Sequence, residues 1–282
     1  MLELRLENEV NLDETVIGFI GAGNMAGSII RGLIGAGKNP ESIFVTDIDD
    51  QKLQSITAET SVNSTATKKM PSLVDVLILA VKPQVMKSVC QELTDVEAVQ
   101  LVISIAAGIK ITQMEQWLNS ETAIVRCMPN TPALVGEGAT GLFANKLVSD
   151  HQRTLAQSIM GSVGLTSWMQ SEKDMDTVTA VSGSGPAYFF LLIEAMQEVA
   201  QELGLKKDVA ENLICQTAIG ASKLIQESND SSLILRKKVS SPGGTTEKAI
   251  SVFESGNIRG LVRDALIAAR DRSIELSEDL SN

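Results

Sequence analysis

The sequence predicts an α/β fold, a doubly wound sheet in the N-terminal half followed by an all-helical C-terminal half. Three observations predict it. Short, near-continuous apolar runs alternate with helical patterns from Val16 to about Met169, the pattern of parallel strands buried on both faces. A glycine-rich turn directly follows the first of those runs. After Met169 no strand pattern appears, and only helical periodicity remains.

Taken in order, residues 1–14 are acidic and mixed, with neither the basic start nor the apolar stretch of a signal peptide. They read as a short extension. Val16 to Ile20 (V-I-G-F-I) is a buried strand. A helix carrying Ile29, Ile30, Leu33 and Ile34 on one side follows and closes at Gly35 and Gly37. Ile43 to Thr46 is the second strand, with a helix and a weak strand near Val62 after it. Val74 to Val81, Leu101 to Ile105 and Ala123 to Cys127 continue the series, and Gly141 to Ala144 and Val163 to Met169 add edge strands. Beyond Asp174, helical patterns cover Ala187 to Leu203, Asp208 to Gln226, Gly243 to Phe253 and Arg259 to Leu280. This half is rich in Ala, Leu and Ile yet makes a small core by itself, so it is expected to pack against a second subunit.

Composition excludes several functions. Hydrophobic residues make up 44% and charged residues 21% of the 282, ample for a globular core. The formal charge of −11 and the absence of a large Lys/Arg cluster argue against nucleic acid. Arg236 to Lys238 reads as a solvated helix end. No apolar run reaches the ~20 residues of a membrane span. Cys90, Cys127 and Cys215 are widely spaced and His151 is the only histidine, which excludes a zinc site and fits a reduced, cytoplasmic protein. His151 itself reads as a surface residue.

The chemistry begins at Gly21-Ala22-Gly23-Asn24-Met25-Ala26-Gly27. A dinucleotide pyrophosphate needs bare backbone N–H groups at a helix start. Gly21 permits the tight turn, Gly23 lets the backbone approach, and Ala26 takes the third position. Lying between a strand and a helix, this is the Rossmann-type context the motif requires. Asp47 ends the second strand. It reads two ways: as an acceptor for the adenosine ribose that repels a 2′-phosphate and favours NADH, or as a cap or turn aspartate beside Asp49 and Asp50. Ala80-Val81-Lys82-Pro83 and Ser104-Ile105-Ala106-Ala107-Gly108 follow later strands, where ligands of open α/β sheets bind. Lys82 reads equally as a phosphate or ribose contact and as a surface lysine. Met128 to Pro132 forms a rigid loop in which Asn130 and Thr131 supply polar atoms. In the helical half, Val181 to Tyr188 and Ser240 to Glu247 each read as a polar, glycine-rich helix start, a carboxylate site that needs no charged side chain.

Together G-F-I-G-A-G-N-M-A, A-V-K-P, S-I-A-A-G, R-C-M-P-N-T-P-A, V-S-G-S-G-P-A-Y and S-S-P-G-G-T-T resemble pyrroline-5-carboxylate reductase, in order, from about Val16 to Leu280. The resemblance implies reduction of the cyclic imine Δ1-pyrroline-5-carboxylate to L-proline by NADH or NADPH, as the last step of proline biosynthesis. It implies a Rossmann domain over 15–172 and a helical substrate and dimerisation domain over 173–282, in a homodimer that can assemble to a decamer. Ile20, Gly21, Ala22, Gly23, Asn24 and Met25 are implied to hold the pyrophosphate. Ala80, Val81, Lys82 and Pro83, with Ile105, Ala106 and Ala107, are implied to line ribose and nicotinamide, and Asn130 joins the cofactor set. Ser241, Gly244 and Thr245 are implied to take the substrate carboxylate, Thr246 to serve as the catalytic hydroxyl near the ring nitrogen, and part of the site to come from the neighbouring subunit. One departure stands out. Family members that favour NADPH carry serine and asparagine where this sequence has Asp47 and Thr67. Two other functions fit the same plan: another NAD(P)-dependent imine or β-hydroxy-acid oxidoreductase, for which no compelling catalytic lysine is visible, and a dinucleotide sensor, which needs no second anion site.

Overall fold

A computed structural model describes residues 12–118 and 121–280. Of the expected extension, residues 1–11 lie outside the described residues, and Leu12–Glu14 form a single 3-10 turn.

The sheet has eight strands: β1 (Ile17–Ile20), β2 (Ile43–Thr46), β3 (Asn63–Ser64), β4 (Val76–Leu79), β5 (Leu101–Ser104), β6 (Ile124–Met128), β7 (Gly138–Ala144) and β8 (Gly164–Trp168). Their spatial order is β3-β2-β1-β4-β5-β6-β7-β8. All neighbours are parallel except β6 and β7. Few residues separate Met128 from Gly138, too few for the crossover a parallel pair requires, so β7 must turn back. Helices α1 (Asn24–Gly35), α2 (Asp50–Thr60), α3 (Pro83–Glu92), α4 (Ile111–Leu118) and α5 (Asp150–Gly161) make the connections.

Strand alternation sends side chains to two cores. Ile17, Phe19, Ile78 and Ile103 meet Ile29 and Leu33 of α1 on one face. Ile20, Leu77, Leu79 and Val102 meet Met86 of α3 and Met114 of α4 on the other. One charge interrupts this. Arg126 in β6 is 3% exposed and donates to Glu172, whose carboxylate also accepts from the Ile111 backbone. A buried guanidinium needs such a partner.

The helical half contains α6 (Asp174–Val178), α7 (Gly185–Glu202), α8 (Lys207–Glu227), α9 (Ser232–Lys238), α10 (Thr245–Ser255) and α11 (Ile258–Asp279). Arg236 to Lys238 is indeed the last turn of a helix, α9. Chain contacts define two compact units: Gly185–Ala268 is one, and the rest of the chain, including the end of α11 from Ala269, is the other.

The segment Val181 to Tyr188 is not a free helix start. Thr179–Gly183 is a π-helical turn, closed by Ser184 N donating to Thr179 O at 2.8 Å, and it runs α6 into α7. Its backbone donors are therefore spent within the helix. The resulting stretch, Asp174–Glu202, is 29 residues long and apolar enough by length and composition to cross a membrane, and 11% of its most apolar window is buried. The helix start that the sequence predicts at Gly183 to Pro186 would divide this run in two.

The unit Gly185–Ala268 has almost no core of its own. Gly185, Pro186 and Ala210 are its only buried residues, while Phe189, Phe190 and Leu191 are 63%, 63% and 66% exposed. Apolar surface on that scale marks an interface.

Candidate active site

Three loops leave the carboxyl ends of adjacent parallel strands, around the point where strand order reverses between β1 and β4. Backbone bonds knit them together. Gly21 N donates to Thr46 O at 2.8 Å, Ala80 N to Ile20 O at 2.8 Å, and Ile105 N to Leu79 O at 3.1 Å. The sequence-predicted groups Ile20 to Met25, Asp47, Ala80 to Pro83 and Ile105 to Ala107 therefore share one edge of the sheet.

The glycine turn suits an anion. Gly21 has φ of +105°, and a Cβ there would stand 2.5 Å from the Ala80 carbonyl oxygen. Gly23 is the N-cap of α1, without a side-chain cap or an acidic residue in the first turn. A Cβ at Gly23 would meet nothing within 4 Å. The positive end of α1 is thus open to phosphate. Beside it lies a cleft of about 380 Å³ bordered by Ala22, Gly23, Asn24, Arg31, Lys52 and Ser55.

Asp47 is not the cap of α2; Asp49 is. The Asp47 carboxylate accepts from Ala22 N at 2.6 Å and from Asp49 N at 2.8 Å. It braces the glycine turn and has acceptor capacity left for a further donor. The cations of the neighbouring cleft are already engaged. Arg31 donates twice to Glu59, at 2.6 and 2.8 Å, which holds that carboxyl below its ordinary range. Lys52 lies 3.2 Å from Asp49. Lys82 caps α3 and is exposed.

Further along the same unit is a cleft of about 250 Å³ lined by Pro83, Ala107, Gly108, Thr179, Ser184 and Leu276, among others. It brings the A-V-K-P and A-A-G loops together with the π-turn. Thr179 and Ser184 line this cleft with their side of the π-turn. The sequence marks the Ser-Gly-Ser-Gly stretch as a carboxylate-binding helix start, not as a wall of this cleft, and Thr179 carries no signal. Asn130 is 7% exposed, and both ends of its amide are used internally: Nδ2 donates to Ser182 O and Oδ1 accepts from Ala139 N, each at 2.9 Å.

In the helical unit, Ser241, Gly244, Thr245 and Thr246 converge at the start of α10. Gly244 is its N-cap. Gly244 N donates to Ser241 O at 2.9 Å, closing the turn, and Gly243, with φ of +72°, donates to Glu247 Oε2 at 2.7 Å. The first-turn N–H groups of Thr245 and Thr246 remain beyond that closure.

Neither inner cysteine supplies a thiolate. Burial pushes the Cys90 thiol up to about 12 and raises Cys127 as well. His151 is exposed in the first turn of α5.

A doubly wound sheet with an open glycine turn at its switch point defines a dinucleotide-binding protein of the two-part, sheet-plus-helices class. Comparison with known proteins narrows this. A family model described as pyrroline-5-carboxylate reductase dimerisation matches residues 172–276, and one described as NADP oxidoreductase coenzyme F420-dependent matches 16–108. The pyrroline-5-carboxylate reductase of Pseudomonas aeruginosa is 45% identical over 94% of this chain and 97% of its own. The solved structure of a pyrroline-5-carboxylate reductase from Coxiella burnetii matches with a TM-score of 0.88 and 47% identity, over 93% of this chain and 98% of that one. The Plasmodium falciparum pyrroline carboxylate reductase with NADP bound matches with a TM-score of 0.84 and 30% identity, over 94% and 99%. The chain belongs to the pyrroline-5-carboxylate reductase family.

Proposed function

We propose that this protein reduces Δ1-pyrroline-5-carboxylate to L-proline with NADH or NADPH, closing proline biosynthesis in the cytoplasm. The observation that carries the reading is a pair of backbone anion cradles, at Gly21–Met25 and at Ser241–Thr246, in a chain whose single histidine is exposed and whose two inner thiols are raised by burial. A protonated cyclic imine is already an electrophile, so the enzyme needs alignment more than a general base. The bound nicotinamide supplies the hydride that the imine carbon accepts.

The protein's residues do the rest, part of them from the neighbouring subunit. Gly21, Gly23, Asn24 and Met25 present N–H groups to the pyrophosphate, and Asp47 takes the ribose. Ile48, fully exposed beside it, offers adenine an apolar face. Pro83, Ala106 and Ala107 leave room for a flat ring. Ser241, Gly244 and Thr245 hold the substrate carboxylate, and the Thr246 hydroxyl accepts a hydrogen bond from the protonated imine N–H or relays its proton. The bare apolar faces of α7 and α8 and the dimerisation match over 172–276 support a homo-oligomer. They favour a second copy of the chain over a membrane as what covers Asp174–Glu202. We take the dimer as the unit, with a decamer as its further assembly and the functional division near residue 172.

The decisive assay follows loss of reduced nicotinamide with Δ1-pyrroline-5-carboxylate, against a panel of other imines and keto acids. Turnover confined to the first supports the assignment, and turnover only with another substrate sinks it. Replacing Thr246 by Ala is expected to lower kcat/KM about tenfold, the value of one hydrogen bond to a charged group. Unchanged kcat/KM removes Thr246 from the mechanism.

A further inference from the structure

We infer that Asn130 is a positioning residue for the nicotinamide end of the site, acting through the π-turn rather than by touching the cofactor. The inference rests on the reading above that Pro83 and Ala107 border the nicotinamide.

The geometry is specific. A π-turn is an irregular helical segment whose course must be held from outside the helix, and such turns recur at functional sites. Here the helix does part of the work: Ser184 N donates to Thr179 O, Thr179 Oγ1 to Met175 O, and Ser182 Oγ to Val178 O. The turn also sits tightly on the sheet. A Cβ at Gly183 would lie 2.5 Å from the Met128 side chain, and one at Gly141 would lie 2.7 Å from Val178. Asn130, in the loop after β6, adds a side-chain clamp on this turn. Its Nδ2 holds the Ser182 carbonyl while its Oδ1 is anchored to β7 through Ala139 N. Two residues flanking that carbonyl, Thr179 and Ser184, line the same cleft as Pro83, Ala107 and Gly108. A shift of the turn therefore reshapes the wall facing the ring, while the glycine turn that forms the pyrophosphate cradle follows β1 and starts α1.

Asn130→Asp isolates this link. One carboxylate oxygen can still accept from Ala139 N, but the other faces the Ser182 carbonyl with no proton to share. Asn130→Ala removes both bonds without adding charge and serves if the first variant folds poorly. Calorimetric titration of each folded variant with NADH and with ADP-ribose, which lacks the nicotinamide, gives a ratio of dissociation constants. General loss of structure weakens both ligands alike and leaves that ratio unmoved. The expected result is a rise in the NADH-to-ADP-ribose ratio of roughly tenfold, with ADP-ribose affinity retained and kcat reduced. A rise of about threefold or more in either variant upholds the assignment, and a smaller change in both overturns it. No pyrroline-5-carboxylate is present, so failure of the substrate assignment would leave this ratio readable.

Discussion

Gly21→Ala is expected to weaken NADH and NADPH binding by about a hundredfold or more. Two effects add. The φ of +105° at Gly21 lies where a side chain is rarely tolerated, which costs about 1–3 kcal/mol. The new Cβ would also stand 2.5 Å from the Ala80 oxygen and 2.8 Å from its carbonyl carbon. Neither side can yield cheaply, because Gly21 N is tied to Thr46 O and Ala80 N to Ile20 O. Relief must come from moving the glycine turn or the Ala80–Pro83 loop, and both are proposed cofactor contacts. A net loss near 3 kcal/mol corresponds to roughly a hundredfold in dissociation constant. Titration of the folded variant with each nucleotide checks this. Affinity within tenfold of the unsubstituted protein would show that the turn can rearrange around a methyl group.

The sequence made most of this architecture visible because burial writes itself as pattern. β1, β2, β4 and β5 are apolar on both faces, so each reads as a near-continuous run, and β6 is broken only by Arg126. Thr46, Asp47 and the loops after Leu79 and Ser104 were then placed by the rule that ligands sit beyond strand ends. What stayed hidden depends on contacts distant in sequence. α9 is only seven residues, four of them polar, so only its basic end at Arg236 to Lys238 registers in the sequence. The Ser182–Pro186 stretch holds two glycines and a proline, which locally argue for a helix break. Packing against Met128 and the Asn130 clamp instead carry the helix through as a π-turn. Asn130 enters the cofactor set only through the family resemblance, and nothing local reveals that Ser182 and Ala139 engage both ends of its amide. Phe189 and Leu192 show helical periodicity in the sequence, but whether the face they form meets its own core or another copy is a tertiary fact.

Asp47→Ser is expected to shift the ratio of kcat/KM for NADPH over NADH by about a hundredfold toward NADPH. The unsubstituted protein is expected to favour NADH. A 2′-phosphate would enter beside a carboxylate fixed at 2.6 Å from Ala22 N and 2.8 Å from Asp49 N, so the charge cannot swing away. Repulsion between like charges about 4 Å apart is worth about 1 kcal/mol in water and about 4 kcal/mol at a protein surface. Asp47 is half-buried, so a middle value near 3 kcal/mol, or about a hundredfold, applies. The cleft's own cations offer little offset, since Arg31 is paired with Glu59 and Lys52 with Asp49. Serine is the informative replacement. Its hydroxyl removes the charge yet can still accept a hydrogen bond near Ala22, so the turn keeps part of its brace. Initial rates with each nucleotide at saturating imine substrate give the ratio. If both cofactors lose efficiency together and the ratio moves less than about threefold, Asp47 is a structural brace of the glycine turn and cofactor choice is made elsewhere.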